Sequence, residues 1–338
     1  MREKVRFGVI GTNFITDWFI KGAREDDRFE LSAVCSRSRA TASAFAAKHG
    51  VANIFTSTQE MASSDLIDAV YIASPNFLHS PQSILFMECG KHVLCEKPLA
   101  SNAAEARKMI AASSAYNVTL MEAMKPTLTP NFTAVRDNIG RIGRVRRYFS
   151  SYCQYSSRYD KFKEGVILNA FRADYANGAM MDIGVYTLYP MVVMFGRPLR
   201  TEASGIMLSS GVDGQGAVNF LYEGMNATIL YSKIANSNLP TEIQGEDGII
   251  ALDRINSIGR VTFTPRLSSD PGKSLQPLPE DISLPTGKDE YYYEAAEFIS
   301  LVLAGKREST VNSHNNSLIT LDIIDDIRRQ LGVVYPAD

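Results

Sequence analysis

From Val5 to Met121 the chain alternates short, unbroken apolar runs with stretches of helical periodicity. Val5 to Ile10 reads as a strand and Phe14 to Ala23 as a helix. Leu31 to Cys35 reads as a second strand, and Thr41 to His49 as an alanine-rich helix. Ala69 to Ala73 is a third apolar run, followed by a helical pattern from Ser80 to Cys89. His92 to Cys95 and Val118 to Met121 add two strands around a helix from Asn102 to Tyr116. Apolar runs this short and continuous suit strands buried on both faces, as in a parallel sheet covered by helices. Strand–helix alternation implies right-handed βαβ units and an α/β, doubly wound fold.

After Ala123 the texture changes. Arg144 to Tyr155 alternates in polarity and reads as a long strand, and Gly178 to Phe195 reads as a helix. Strand-like runs follow at Glu202 to Ser209, Gly216 to Tyr222, Ala227 to Lys233, Ile249 to Leu252 and Arg260 to Thr264. Consecutive strands with little helix between them predict an α+β domain on an open, mainly antiparallel sheet. Pro265 to Gly287 reads as a surface loop, and two helices, Glu290 to Ala304 and Asn315 to Leu331, close the chain. At 338 residues the length suits two domains, each of ~100–200 residues. They are expected at 1–123 and 124–338.

Composition narrows the partners. Apolar residues make up 45% and charged residues 21%, and the net charge is −2 with the basic residues scattered. That excludes nucleic acid and an anionic membrane surface as the expected main partner. No apolar stretch is expected to approach the ~20 residues of a membrane span. Met1-Arg2-Glu3-Lys4 runs straight into the first strand without a signal-type apolar region. Cys35, Cys89, Cys95 and Cys153 show no metal-type spacing and read as reduced thiols. The expectation is a cytoplasmic protein without a structural metal.

Gly8-Val9-Ile10-Gly11-Thr12-Asn13-Phe14-Ile15-Thr16 lies at the first strand–helix turn, where a dinucleotide fold holds pyrophosphate on backbone N–H groups. Gly11 fits the first glycine of G-x-G-x-x-G, but Asn13 and Thr16 replace the other two. Gly11, Thr12, Asn13, Phe14 and Ile15 are the candidate phosphate-binding residues. After the second strand the chain reads Cys35-Ser36-Arg37-Ser38-Arg39. No carboxylate stands there to accept from a ribose 2′-hydroxyl, whereas Ser36 and Arg37 suit a 2′-phosphate. The reading is NADP(H) in preference to NAD(H); a solvated basic loop is the bland alternative.

Two further stretches carry a resemblance. Ser74-Pro75-Asn76-Phe77-Leu78-His79 and then Gly90-Lys91-His92-Val93-Leu94-Cys95-Glu96-Lys97-Pro98-Leu99-Ala100 resemble the glucose–fructose oxidoreductase/inositol dehydrogenase/MocA (Gfo/Idh/MocA) family. Gly178-Ala179-Met180-Met181-Asp182-Ile183-Gly184-Val185-Tyr186 resembles that family's active-site helix. The resemblance implies a Rossmann domain followed by a substrate-binding domain whose sheet is commonly the oligomer interface, hence a homodimer or homotetramer. It implies that Ser74, Pro75 and Asn76 line the nicotinamide side of the cofactor, and that Lys97 stands beside nicotinamide and the substrate's reacting oxygen; Glu96 is counted with the cofactor-binding residues, and His79 is read as structural or near the cofactor. Substrates are expected among sugars, inositols, polyols and cyclic diols.

Hydride transfer at a carbinol requires a proton to move in step and positive charge to stabilise alkoxide character. Lys97 supplies the charge. Asp182 and Tyr186 are four apart on a helix and share one face. A phenol, with an unperturbed pKa near ~10, needs a neighbouring cation to work near neutrality. Tyr186 is read as proton donor and acceptor, and Asp182 as the group orienting substrate hydroxyls or the Lys97–Tyr186 pair. The family more often places His at the position of Tyr186; a sub-branch with dimeric dihydrodiol dehydrogenases carries Tyr. Arg172 is assigned to substrate or to the Asp182 carboxylate. The competing readings are a dinucleotide-binding regulator without turnover, and an enzyme that uses tightly held cofactor for transient oxidation in glycoside cleavage or epimerisation.

Overall fold

The structure, a computed structural model, describes residues 3–266 and 277–338. The chain divides into two units: Met1–Lys125 with Lys288–Asp322 and Ala337–Asp338, and Pro126–Gly287 with Ile323–Pro336.

The first unit is built on six parallel strands: β1 (Val5–Ile10), β2 (Phe29–Cys35), β3 (Asn53–Phe55), β4 (Ala69–Ile72), β5 (His92–Glu96) and β6 (Leu120–Ala123). Their order, β3-β2-β1-β4-β5-β6, is that of a doubly wound dinucleotide-binding sheet. The connections are α1 (Phe14–Ala23), α2 (Arg39–His49), α3 (Thr58–Ala62), α4 (His79–Glu88) and α5 (Ala103–Tyr116). After β3 the chain crosses back to place β4 beside β1, so the turns leaving β1 and β4 part there and open a crevice at their carboxyl ends. Every residue of β4 and β6 is buried, as expected of strands covered on both faces. Phe19 of α1 stacks on Tyr71 of β4 with centroids 3.7 Å apart.

In the second unit, α6 (Pro130–Asn138) leads to β7 (Val145–Cys153), α7 (Tyr159–Lys163) and α8 (Val185–Phe195). Then come β8 (Arg200–Met207), β9 (Asp213–Tyr222), β10 (Met225–Ser232), β11 (Thr241–Gly245), β12 (Gly248–Leu252), β13 (Val261–Pro265) and β14 (Glu280–Asp281). The sheet order is β14-β13-β12-β11-β7-β10-β9-β8. It is antiparallel except for the central β7–β10 pair, which is parallel with Tyr231 opposite Tyr152 and Ser232 opposite Cys153. Ala227, Ile229 and Tyr231 alternate on the buried face of β10.

Several expectations are corrected. The proposed break at 123/124 does not hold for the C-terminus: α9 (Glu290–Leu303) belongs to the first unit, and α10 (His314–Leu331) is shared between the two. Phe298 of α9 lies 5.7 Å from Phe7 of β1. At Gly22 of α1 a Cβ would meet the Tyr291 Cβ at 2.7 Å, so the absence of a side chain lets the two helices touch. Segment Ala173–Phe195 is long and apolar enough to cross a membrane by composition, contrary to expectation, but 72% of its apolar window is buried inside the protein. The strands β3, β11 and β14 and the helices α3, α6 and α7 carry too few apolar positions to show in the pattern. β14 falls inside the predicted Pro265 to Gly287 loop, part of which lies outside the described residues.

Candidate active site

The β1–α1 turn is pinned by contact with the end of β4. Gly11 sits at φ +99°, and a Cβ there would meet the Ala73 carbonyl oxygen at 2.5 Å. Asn13 is not in the left-handed conformation that its place in the glycine pattern suggests. Its φ is −105°, and it caps α1: its Oδ1 accepts from the N–H groups of Ile15 at 2.9 Å and Thr16 at 3.3 Å. Its Nδ2 donates to Ala73 O at 3.2 Å. The third-glycine position, Thr16, is fully buried. The Asn13 cap satisfies Ile15, so Ile15 is not a free phosphate donor in this conformation. The N–H groups of Thr12, Asn13 and Phe14 take no acceptor among the described residues. A helix start with such donors and positive dipole fits an anionic pyrophosphate. Beyond β2, Ser36 is half-buried and Arg37 exposed, while Ser38 is spent capping α2 through Thr41 N–H.

The segments after β4 and β5 are tied together by His79. Its Nδ1 lies 2.9 Å from Pro98 O and its Nε2 2.9 Å from Ser74 O. The ring is buried, and burial lowers its pKa against the opposing pull of the two carbonyls. This holds Ser74-Pro75-Asn76 beside Lys97-Pro98, where the peptide bond is cis. Ser74 also donates to Gln82 Oε1 at 2.7 Å. Glu96 accepts from the Tyr71 hydroxyl and from Lys97 N–H at 3.2 Å. Its carboxyl is raised by desolvation, partly offset by Lys97. Lys97 is half-exposed at the end of this rigid segment.

Behind it, Glu122 accepts from Leu99 N–H at 3.0 Å. Burial pushes its carboxyl up to about 7, against Ser317 and the Leu99 N–H, from an ordinary value of 4.5. A raised acid keeps a proton in the folded state that the unfolded chain releases. Stability from this group is therefore full below pH 4.5 and is lost as the pH rises toward about 7, in total by about 3 kcal/mol. Glu122→Gln keeps an acceptor for Leu99 without the titration. We expect it to melt near the wild-type temperature at pH 5 and several degrees higher at pH 8. An equal offset at both pH values in thermal unfolding would count against this. Lys125 is buried, pairs with Glu290 and lies 5.2 Å from the Tyr291 ring centroid. It is a structural cation in this unit.

In the second unit, the helix that carries Asp182 and Tyr186 starts at Gly178, φ +147°, where a Cβ would meet Asp213 Oδ1 at 2.2 Å. Asp213 is buried and caps the helix, accepting from Ala179 N–H at 3.1 Å and Met180 N–H at 2.7 Å. The first turns, Met180–Gly184, are π-helical and run into α8; such wide turns recur at functional sites. Across 178–192 only Asp182 and Tyr186 escape burial, so the predicted shared face is the face left open. The Tyr186 ring packs edge-on against Tyr152 of β7 at 5.8 Å.

The partner of Asp182 is one that the sequence reading missed. Lys233, just past β10, forms an ion pair with Asp182 Oδ2, donates to Ala170 O at 3.3 Å and lies 5.1 Å from the Phe171 ring centroid. Arg172, assigned to substrate or to Asp182, instead pairs with its neighbour Asp174 and stacks on Tyr175 at 4.3 Å. Two residues apart, Arg172 and Asp174 satisfy each other locally on the surface. The signal for Lys233 was present: it continues the buried alternation of Ala227, Ile229 and Tyr231, a charge where an apolar residue belongs.

Comparison with known proteins identifies the family of both parts of the chain. Residues 5–124 match the model of the oxidoreductase family with an NAD-binding Rossmann fold, and residues 137–251 match the GFO/IDH/MocA C-terminal domain. The chain is 51% identical over 334 residues to scyllo-inositol 2-dehydrogenase (NADP(+)) IolU of Bacillus subtilis, covering 99% of both chains. It is 31% identical over 349 residues to trans-1,2-dihydrobenzene-1,2-diol dehydrogenase of Danio rerio, again covering 99% of each. Among solved structures it shares the fold of aldose-aldose oxidoreductase from Caulobacter crescentus, with a TM-score of 0.83, 21% identity and 97% coverage of both chains. With both domain models matched in order and a full-length relative at this identity, the chain belongs to the GFO/IDH/MocA family of NAD(P)-dependent oxidoreductases.

Proposed function

We propose that this chain is a cytoplasmic, NADP(H)-preferring dehydrogenase that interconverts one ring hydroxyl of scyllo-inositol, or of a closely related cyclic polyol, with the ketone. The observation that carries this reading is the end-to-end 51% identity to an NADP(+)-dependent scyllo-inositol 2-dehydrogenase. The loop after β2 supports the cofactor preference, since Ser36 and Arg37 are accessible there and no carboxylate stands at the strand end. Thr12, Asn13 and Phe14 hold the pyrophosphate on backbone N–H groups, and Ser74, Pro75, Asn76, His79 and Glu96 shape the nicotinamide side. Assembly is read as a homodimer or homotetramer through the sheet of the second unit, whose outer face exposes Ile206, Leu221 and Ile249.

A nicotinamide cofactor held there would supply the acceptor, or in reverse the donor, of the hydride exchanged with the carbinol carbon. The Tyr186 phenolate takes the hydroxyl proton at Oη and returns it in the reverse direction. The Lys97 ammonium stabilises the developing negative charge on the reacting oxygen. Asp182 accepts hydrogen bonds from adjacent hydroxyls and so fixes which carbon faces the cofactor.

The test incubates the purified chain with NADP(+) or NAD(+) and a panel of inositols, aldoses and cyclic trans-diols, reading absorbance at the reduced nicotinamide band. Net NADPH formation with scyllo-inositol is expected, together with a lower Kd for NADPH than for NADH. Equal Kd values would remove the cofactor preference. Cofactor binding with no turnover across the panel would turn the reading to a regulator. Product without net absorbance change would turn it to transient oxidation.

A further inference from the structure

We propose that Lys233 is a positioning residue that locks the Asp182 carboxylate, ionised and in one orientation, as the acceptor for substrate hydroxyls. The inference rests on the reading of Asp182 as a substrate-facing group. Lys233 is 3% exposed, and a buried ammonium is tolerated only with a counter-charge and acceptors for its protons. The structure supplies Asp182 Oδ2, the Ala170 carbonyl and the Phe171 ring face. The other carboxylate near it, Asp213, is committed to the helix N-terminus through Ala179 and Met180.

The lysine's backbone leaves little freedom. Its N–H donates to Gly214 O at 2.9 Å, and its own carbonyl accepts from Ser156 N–H at 2.9 Å. The charge is thus anchored on both sides, at the end of the parallel β7–β10 pair, where Tyr152 of β7 meets Tyr186. Asp182, by contrast, is partly exposed, its side chain to 35%. A surface carboxylate rotates and meets water. One carboxylate oxygen tied to a fixed internal cation leaves the group a single orientation, which is the preorganisation that binding a polyhydroxylated ring requires. Lys233 pairs with Asp182 and also acts on Asp213 of β9, while Tyr186, one helical turn on from Asp182, packs on Tyr152 of β7.

The test is a double-mutant cycle on the full chain with Asp182→Asn, Lys233→Met and the double variant. It follows kcat/KM for scyllo-inositol against pH, with NADPH Kd and melting temperature alongside. Each single change is expected to lower kcat/KM by about 10- to 100-fold, the scale of a hydrogen bond to a charged group. The double variant should fall no further than Asp182→Asn alone, with NADPH Kd within about two-fold of wild type. The acid limb of the profile should move to higher pH in Lys233→Met and not in the double variant, a shift that a purely structural role would not produce. Should Lys233→Met fail to fold, Lys233→Arg is compared with and without Asp182→Asn; a loss confined to the background that keeps Asp182 supports the proposal. Near-normal kcat/KM for the Lys233 variants, or losses that multiply in the double variant, would overturn it. Near-normal kcat/KM for Asp182→Asn would overturn both this proposal and the substrate-facing reading beneath it, which separates the two failures.

Discussion

Lys97→Met is expected to lower turnover of scyllo-inositol by ~10²–10⁴-fold, the range of a general acid–base or charge-stabilising group, while NADPH still binds. The backbone at this position does not depend on the ammonium. It is held by the His79 bridge from Ser74 O to Pro98 O and by the Glu96 carboxylate on Lys97 N–H. Methionine retains most of the aliphatic length, and the site is half-exposed, so little stability should be lost. A transition-state charge partner shows as equal losses in kcat and kcat/KM. A rise in KM with kcat intact would instead assign Lys97 to uniform substrate binding. Near-normal turnover would remove it from the reaction.

Tyr186→Phe is the second large effect: a fall in kcat of ~10²-fold or more for loss of a single oxygen. Phenylalanine keeps the ring that packs edge-on against Tyr152, so melting temperature and NADPH Kd should stay close to wild type. Near-normal kcat with an unchanged melting temperature would remove the phenol from the proton transfer.

Much of the first unit was legible in the chain. Strands such as Ala69–Ile72 are apolar at every position because both faces are covered, and that burial is written in composition. The break expected at 123/124 failed for a different reason. Whether Glu290–Leu303 packs on β1 or elsewhere depends on a helix–helix approach at Gly22, which no local pattern encodes. Asn13 misled in a milder way: the glycine template suggested a strained turn residue, whereas the short side chain found a better use as a helix cap.

The candidate site divides along the same line. Lys97 was found because its neighbours Glu96 and Pro98 are adjacent in the chain, and Asp182 with Tyr186 because helical spacing places i and i+4 on one face. The amino-acid sequence alone therefore determined the fold class and nominated the turn proposed to hold the cofactor and the side chains proposed for the chemistry. All of these follow from contacts between residues a few positions apart. Only the tertiary structure decided what holds the chemistry in place. Asp213 and Lys233 reach the helix of Asp182 and Tyr186 from 33 and 51 residues away, and Arg172, the nearer cation in the chain, turns to Asp174. Burial selects the partner: a charge enclosed by a sheet and a helix must pair with whatever carboxylate the packing brings to it, and packing is settled by the whole fold.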